Sequence, residues 1–189
     1  QVLGGYGFCQ DFILQQYYRD IRIFALYEGT TGIQSLDLLG RKINLKNGKA
    51  VQLFATEITK TIKEALQHEE LKEYAQVLGQ KLKLSQEVLV FLGKFAMKGD
   101  FQRYLSDATI FMEFLGTVTI GWQWLKMALS AQKSLKEKST EQSADFYTTK
   151  IQTMKFYFKY EMPKTISLAN VLMNEEVLTV EKEDEIIFD

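Results

Sequence analysis

The sequence predicts an all-α protein, in which a few short N-terminal helices precede a bundle of about four helices. From residue 49 onward apolar side chains recur at spacings of three and four, which places them on one face of an α-helix. Residues 101–134 are apolar almost all round, as expected for the central helix of a bundle. No segment requires a strand.

Glycines interrupt the first ten residues at Gly4, Gly5 and Gly7. Glycine readily ends a helix, and it lets other groups approach the backbone closely. The spacing does not fit G-x-G-x-x-G and no strand precedes it, so a dinucleotide-binding βαβ unit is excluded at this position. An apolar stripe predicts that residues 12–25 form the next helix.

A carboxylate, Glu28, follows this helix in a short loop bounded by glycines. Its neighbours include Tyr27 and Gly29, and partial desolvation on folding would raise its pKa towards the range of a general base. A solvated loop carboxylate is the alternative interpretation. Thr30 or Thr31 is predicted to cap the next helix.

The remaining segments follow the same helical pattern. That cap opens a helix that runs to the stop signal Asn47-Gly48. Gly116 and Gly121 should let a partner approach the central helix closely. Pro163 should interrupt the last helical stretch, and the acidic end should form a solvated tail. The other predicted segments are helices at 49–67, 70–97 and 144–162 and a polar linker at 133–143.

Composition excludes several classes of function. A hydrophobic content of 46% and a charged content of 25% are ordinary for a globular protein. The net charge of −1 argues against nucleic-acid binding, which needs a basic surface. Cys9 is the only cysteine, which excludes an internal disulfide. His68 is the only histidine, which excludes a histidine-rich metal site and any Ser-His or Cys-His dyad built on another histidine. The longest uncharged apolar run, 114–125, is too short to span a membrane.

Several short motifs stand in the order of a known family block. They are Gln1-Val2-Leu3-Gly4-Gly5-Tyr6-Gly7-Phe8, Tyr18-Arg19-Asp20, Tyr27-Glu28-Gly29-Thr30 and Ile33-Gln34. Together they resemble the last conserved block of the flavin-dependent acyl-CoA dehydrogenases. Residues 145–147 and 159–163 resemble the helical extension of larger members of the 3-methylmercaptopropionyl-CoA dehydrogenase type.

This resemblance implies a domain organisation. Residues 1–47 would end the C-terminal helical domain of an acyl-CoA dehydrogenase, residues 48–173 would form the extension, and residues 174–189 the acidic tail. The chain begins with Gln1 in the predicted last turn of a helix. A C-terminal fragment of a longer enzyme is therefore expected.

The resemblance also implies roles for individual residues. Glu28 would take the α proton of an acyl-CoA thioester, while the β hydrogen leaves as hydride to FAD. Gln1, Gly4 and Gly5 would contact the adenine diphosphate end of FAD, and a plain helix cap is the alternative role for these three. Thr30, Thr31 and Gly32 would contact the flavin beside the base. Tyr27 and Gly29 would contact the substrate. The family often has a larger polar residue at Gly32 and an arginine at Ser35.

The expected partners follow from the same resemblance. They are an acyl-CoA substrate, an electron-transfer flavoprotein and further copies of the chain in a dimer or tetramer. FAD would be bound by the full-length oligomer and not by this fragment, in the bacterial cytoplasm or the mitochondrial matrix. Two alternatives stay open, namely a non-catalytic helical interaction module and an acyl-CoA oxidase of the same fold.

Overall fold

The computed structural model describes residues 1–27, 29–138, 142–176 and 180. Within these residues all regular elements are helices, which confirms the all-α fold class. The α-helices are α1 Leu14–Arg22, α2 Thr31–Asp37, α3 Lys49–Ala65, α4 Lys72–Met97, α5 Phe101–Leu105, α6 Ala108–Lys136, α7 Ala144–Tyr160 and α8 Lys164–Leu172. Shorter elements are 3₁₀ turns at Gly4–Phe8, Ile23–Ala25 and Glu69–Leu71, and a π-helical turn at Leu38–Lys42.

Helix α6 is the centre of the fold, as its sequence predicts. It packs against α2, α3, α4, α7 and α8. Phe111, Phe114 and Leu125 on this helix are completely buried. Its long-range hydrogen bonds include two to the neighbouring helices α3 and α7. Trp122 Nε1 donates to Thr61 Oγ1 of α3 at 2.7 Å, and the Tyr157 hydroxyl of α7 donates to the Thr117 carbonyl at 3.0 Å.

The apolar segment 101–134 is not one helix, because the backbone breaks between α5 and α6. Asp107 has φ −106° and ψ 26°, outside the helical region. The Ser106 hydroxyl donates to the Arg103 carbonyl at 3.0 Å, which ties off the end of α5. Asp100 begins α5 by accepting a hydrogen bond from the Arg103 amide at 3.0 Å. The break at Pro163 is confirmed, since α7 ends at Tyr160 and α8 starts at Lys164.

The two glycines of α6 differ in their surroundings. A Cβ placed on Gly121 would lie 2.0 Å from Cε of Met162, and Met162 is fully buried. The predicted close approach is therefore confirmed at Gly121. A Cβ placed on Gly116 would meet no atom within 4 Å, so this glycine faces open space.

This difference predicts opposite effects of the same substitution. We expect Gly116→Ala to raise the free energy of unfolding by roughly 0.5–1 kcal/mol, because alanine favours a helix over glycine. Gly121→Ala should instead lower it by about 1–3 kcal/mol, because the end of the buried Met162 side chain must shift out of a packed core to make room for the new Cβ. Urea unfolding of both variants measures the two values. A Gly121→Ala protein as stable as Gly116→Ala would contradict the packing described.

The N-terminal segment contrasts with the bundle, since none of its described residues 1–27 is buried. The side chains of Val2, Phe8, Tyr18, Ile21 and Phe24 are at least 62% exposed. The stripe that predicts α1 is therefore real, but no described part of the chain covers it.

Several predicted features fall at the limits of the described residues. Helix α6 extends to Lys136, into the segment predicted as a linker. Residues 139–141 of that linker, and residues 177–179 and 181–189 of the acidic tail, lie outside the described residues. Among the helices of the described part, none has the length and hydropathy of a membrane span.

Candidate active site

The loop between α1 and α2 contains the candidate base in the sequence. Gly29 determines the backbone turn that leads into α2. Tyr27 closes the preceding turn, with its amide donating to the Ile23 carbonyl at 3.0 Å. Glu28 itself lies outside the described residues. Gly29 has φ +106°, and a Cβ there would lie 3.2 Å from Cγ2 of Ile33. The positive φ favours glycine at this position, and a larger residue would also have to displace the Ile33 side chain.

The predicted flavin-contacting residues form the exposed start of α2. Thr30 is extended, with φ −62° and ψ 164°, and its carbonyl accepts the Gln34 amide at 3.0 Å. Thr30 occupies the N-cap position as predicted, although its hydroxyl makes no capping hydrogen bond. A Cβ on Gly32 would meet no atom within 4 Å. Thr30, Thr31 and Gly32 are all exposed, so another group could contact them.

A buried hydroxyl fixes α2 against the central helix. Ser35 is 1% exposed. Its Oγ donates to the Gly32 carbonyl at 2.7 Å and lies 3.1 Å from Thr109 Oγ1 of α6. This residue sets the position of the loop on the bundle, a role that sequence reasoning missed. A serine on the buried side of a short helix was the available signal.

The π-helical turn after α2 is held in a similar way. The Tyr104 hydroxyl of α5 donates to the Leu39 carbonyl at 2.7 Å, and Leu39 is completely buried. Burial raises the pKa of Tyr104, so its hydroxyl remains a donor at neutral pH. A Cβ on Gly40 would lie 3.4 Å from Leu105, showing close packing. Residues 31–42 are therefore anchored to α5 and α6.

The Ser35 contact carries a testable consequence. Ser35→Ala should lower the free energy of unfolding by about 0.5–1.5 kcal/mol, the usual net value of one hydrogen bond. Amide hydrogen exchange over residues 31–37 should become faster than in the unmodified chain. Ser130→Ala, on the exposed face of α6, is the matched control and should change stability by less than about 0.5 kcal/mol. Equal losses of unfolding free energy in the two variants would contradict the anchoring role of Ser35.

Asp37 is the carboxylate of α2, and its environment makes it a poor base. Two nitrogens of Arg41 contact its carboxylate, at 2.5 and 2.9 Å, and Lys42 lies 3.2 Å away. The hydrogen bond from Arg41 lowers the pKa of Asp37 to about 2. A carboxylate with so low a pKa accepts protons weakly at neutral pH. Asp37 is therefore disfavoured as a base in this region.

The N-terminal residues form a separate group. Gln1 and Gly4 line an open cavity of about 1080 Å³ together with Tyr18 and Arg19. Gly4 has φ +56°, and its amide donates to the Gln1 carbonyl at 3.0 Å. Gly5 is exposed but does not line this cavity. The cavity lining includes none of the described residues of the 27–32 loop, so the two sets of predicted contacts do not share this cavity.

In the sequence, the carboxylate residue Glu28 comes two positions before Thr30, and the hydroxyl-bearing Thr30 and Thr31 are exposed. Across the part of the chain that the structure describes, no group of three His, Cys, Asp or Glu residues is arranged to hold a metal ion. The described residues therefore define an all-α domain with an exposed loop at the start of α2.

Two family models match the chain. The model described as "Acetyl-CoA dehydrogenase C-terminal like" matches residues 54–181. The model "Acyl-CoA dehydrogenase, C-terminal domain" matches residues 1–43. Because the first match covers more than half of the chain, the chain belongs to the acyl-CoA dehydrogenase family, whose members are flavin-dependent oxidoreductases. The resemblance drawn from the N-terminal motifs is confirmed.

Curated relatives agree with this assignment. The chain is 29% identical over 177 residues to the broad-specificity linear acyl-CoA dehydrogenase FadE5 of Mycobacterium tuberculosis, covering 91% of the chain and 29% of the relative. It is 32% identical over 161 residues to 3-methylmercaptopropionyl-CoA dehydrogenase of Ruegeria pomeroyi, and the match covers 81% of the chain and 26% of the relative. A butyryl-CoA dehydrogenase of Syntrophomonas wolfei is 27% identical over 188 residues, and the match covers 99% of the chain and 30% of the relative. The chain thus spans less than a third of the length of these relatives.

Proposed function

We propose that this chain is the C-terminal part of a longer acyl-CoA dehydrogenase that introduces a double bond between the α and β carbons of an acyl-CoA thioester. The observation that carries the proposal is the family match over residues 1–43, which contains the Tyr27-Glu28-Gly29-Thr30 loop. The boundary that we propose between the family domain and the extension lies at residues 47 and 48, between the two matched regions.

Glu28 is the proposed base, and it removes the proton from the α carbon. The neighbouring thioester carbonyl acidifies that carbon, which brings the proton within reach of a carboxylate. Gly29 supports this role, because its positive φ turns the chain directly after Glu28. We assign Tyr27 and Gly29 to the substrate side of the loop. The hydrogen bonds of Ser35 and Tyr104 hold the following helix in place.

The described residues fit a flavin at their exposed edges. Backbone at Gly4, Gly5 and Gly32 is open, with no atom within 4 Å of a Cβ built at any of them. Exposed Thr30 and Thr31 supply hydroxyl groups beside Gly32. We propose that Gln1, Gly4 and Gly5 contact the adenine diphosphate end, and that Thr30, Thr31 and Gly32 contact the ring system. When bound, FAD accepts the hydride from the β carbon.

The proposed partners are those of an acyl-CoA dehydrogenase. The exposed apolar residues of the first 27 positions favour packing against other parts of the enzyme or another subunit. We propose an electron-transfer flavoprotein as the acceptor. Reduction of oxygen by the purified full-length enzyme, at the rate of acyl-CoA oxidation, would instead assign it as an oxidase. For a bacterial source the proposed compartment is the cytoplasm.

One direct test concerns the chain by itself. We expect residues 1–189, expressed and purified alone, to be colourless, because they supply only one edge of the proposed flavin site. Absorbance spectra after incubation with FAD and gel filtration measure the retained flavin. The full-length parent protein, treated in the same way, should retain the yellow flavin spectrum. Stoichiometric flavin on the isolated chain would contradict a shared site.

A further inference from the structure

The bundle contains an apolar groove that the proposed dehydrogenase site does not use. It has a volume of about 690 Å³ and lies between α3, α4 and α6, with the π-helical turn at one end. Twelve of its 17 lining residues are apolar, among them Phe54, Leu89, Leu115 and Ile120. The lining includes none of the described residues of the 27–32 loop. Its volume falls within the range of about 300–1,000 Å³ found for small-molecule sites.

The polar residues in the wall of the groove do not make it hydrophilic. The Ser85 hydroxyl donates to the Lys81 carbonyl at 2.8 Å, and the Thr119 hydroxyl donates to the Leu115 carbonyl at 2.7 Å. Both donors are therefore used within their own helices. The remaining polar lining residues, Lys42, Gln52 and Gln86, are exposed and lie at the rim. The interior thus presents hydrocarbon, which favours an aliphatic ligand.

Gly116 keeps one wall of this groove open. It lines the groove, and a Cβ there would meet no atom within 4 Å. The lining residues of α6 run from Met112 to Ile120, a distance of roughly 12 Å at the helical rise per residue. The groove is therefore a slot long enough along α6 to hold an extended alkyl chain.

The chain beside the groove is basic where the π-helical turn leads into α3. The segment between the lining residues Ile43 and Ala50 contains Lys46 and Lys49, and neither is paired with a carboxylate in the described residues. Lys42 lines the groove itself. Arg41 and Lys42 contact Asp37, so the four cations and one carboxylate of residues 37–49 leave a net charge of +3 on this segment. The charge is complementary to an anionic head group.

We propose that this groove binds a fatty acid anion, with the alkyl chain in the slot and the carboxylate at the basic segment 41–49. A hydrophobic slot with cations beside it matches the two parts of such a molecule and matches a neutral alkane or a compact anion less well. The site is separate from the proposed dehydrogenase chemistry and does not rest on it.

Titration calorimetry of the 189-residue chain with octanoate, decanoate and dodecanoate tests the alkyl part. Affinity should rise with chain length by up to about fourfold per methylene, which corresponds to ~0.8 kcal/mol. Gly116→Leu should weaken decanoate binding at least tenfold by filling the slot. Gly93→Leu is the matched control, since a Cβ at Gly93 also meets no atom within 4 Å and Gly93 does not line the groove. It should bind decanoate like the unmodified chain.

The head-group part is tested with Lys42→Ala, Lys46→Ala and Lys49→Ala combined in one protein. Decanoate binding should weaken about fivefold or more, while binding of uncharged decanol should not change. Equal binding of decanoate by the Gly116→Leu and Gly93→Leu proteins would overturn the site. The site would also be overturned if the chain bound no decanoate and instead formed a dimer that the Gly116→Leu substitution dissociated. The groove would then be an interface with a second copy of the chain.

Discussion

Replacing Glu28 by glutamine in the full-length parent enzyme should lower acyl-CoA dehydrogenation by at least about 10²-fold, the usual contribution of a general base. Glutamine keeps the shape and hydrogen-bonding reach of the side chain but cannot accept the proton. Asp37 should not replace it, because the hydrogen bond from Arg41 holds its pKa near 2. His68 is the only histidine, and we do not expect it to replace Glu28 because it lies in the turn after α3.

The assay is bleaching of the flavin by acyl-CoA under anaerobic single-turnover conditions. Substrate and FAD binding are measured separately, so that lost affinity is not mistaken for lost chemistry. Glu57→Gln is the matched control, because Glu57 is an exposed residue of α3 paired with Lys60 at 2.6 Å. It should bleach at the unmodified rate. Bleaching at that rate by the Glu28→Gln enzyme would assign the base to another residue.

The second large effect concerns the core of the bundle. Phe114→Ala should lower the free energy of unfolding by about 3–5 kcal/mol, since it removes a completely buried ring from the central helix and leaves a cavity. A loss of this size is comparable to the whole stability of many small domains. Thermal unfolding followed by circular dichroism should show a lower and broader transition.

Phe156→Ala on α7 makes the same chemical change at the surface. Phe156 is 55% exposed and packs on Tyr160 with ring centroids 4.8 Å apart. The expected loss is below about 1.5 kcal/mol, the value of an aromatic pair. Similar losses for the two variants would show that α6 is not the centre of the core.

The long helices were predictable because their apolar residues repeat with a helical period. The buried residues lie at the positions that this repeat indicates: Leu71 directly before α4, Leu78 on α4, and Phe111 and Phe114 on α6. The break before Ala108 was not predictable from the repeat, because apolar residues continue through it. It depends on the backbone of Asp107 and the hydrogen bond of Ser106, which the pattern does not record.

The candidate site was predictable only in part. The loop motif and glycine positions indicate the family, and Gly29 has the positive φ that its place beside Glu28 suggests. The link from Ser35 to Thr109 spans 74 positions, so no local pattern reveals it. The assignments of Gln1, Gly4, Gly5, Thr30, Thr31 and Gly32 remain proposals, because each depends on a group contributed from elsewhere in the enzyme.

The most direct test of the central proposal is exchange of the α proton of the substrate with solvent deuterium. The full-length enzyme is incubated anaerobically with acyl-CoA in deuterated water, and mass spectrometry counts the deuterium at the α carbon. We expect the unmodified enzyme to incorporate deuterium there, and the Glu28→Gln enzyme to do so at least about 10²-fold more slowly. Exchange at the same rate in both enzymes would contradict Glu28 as the base.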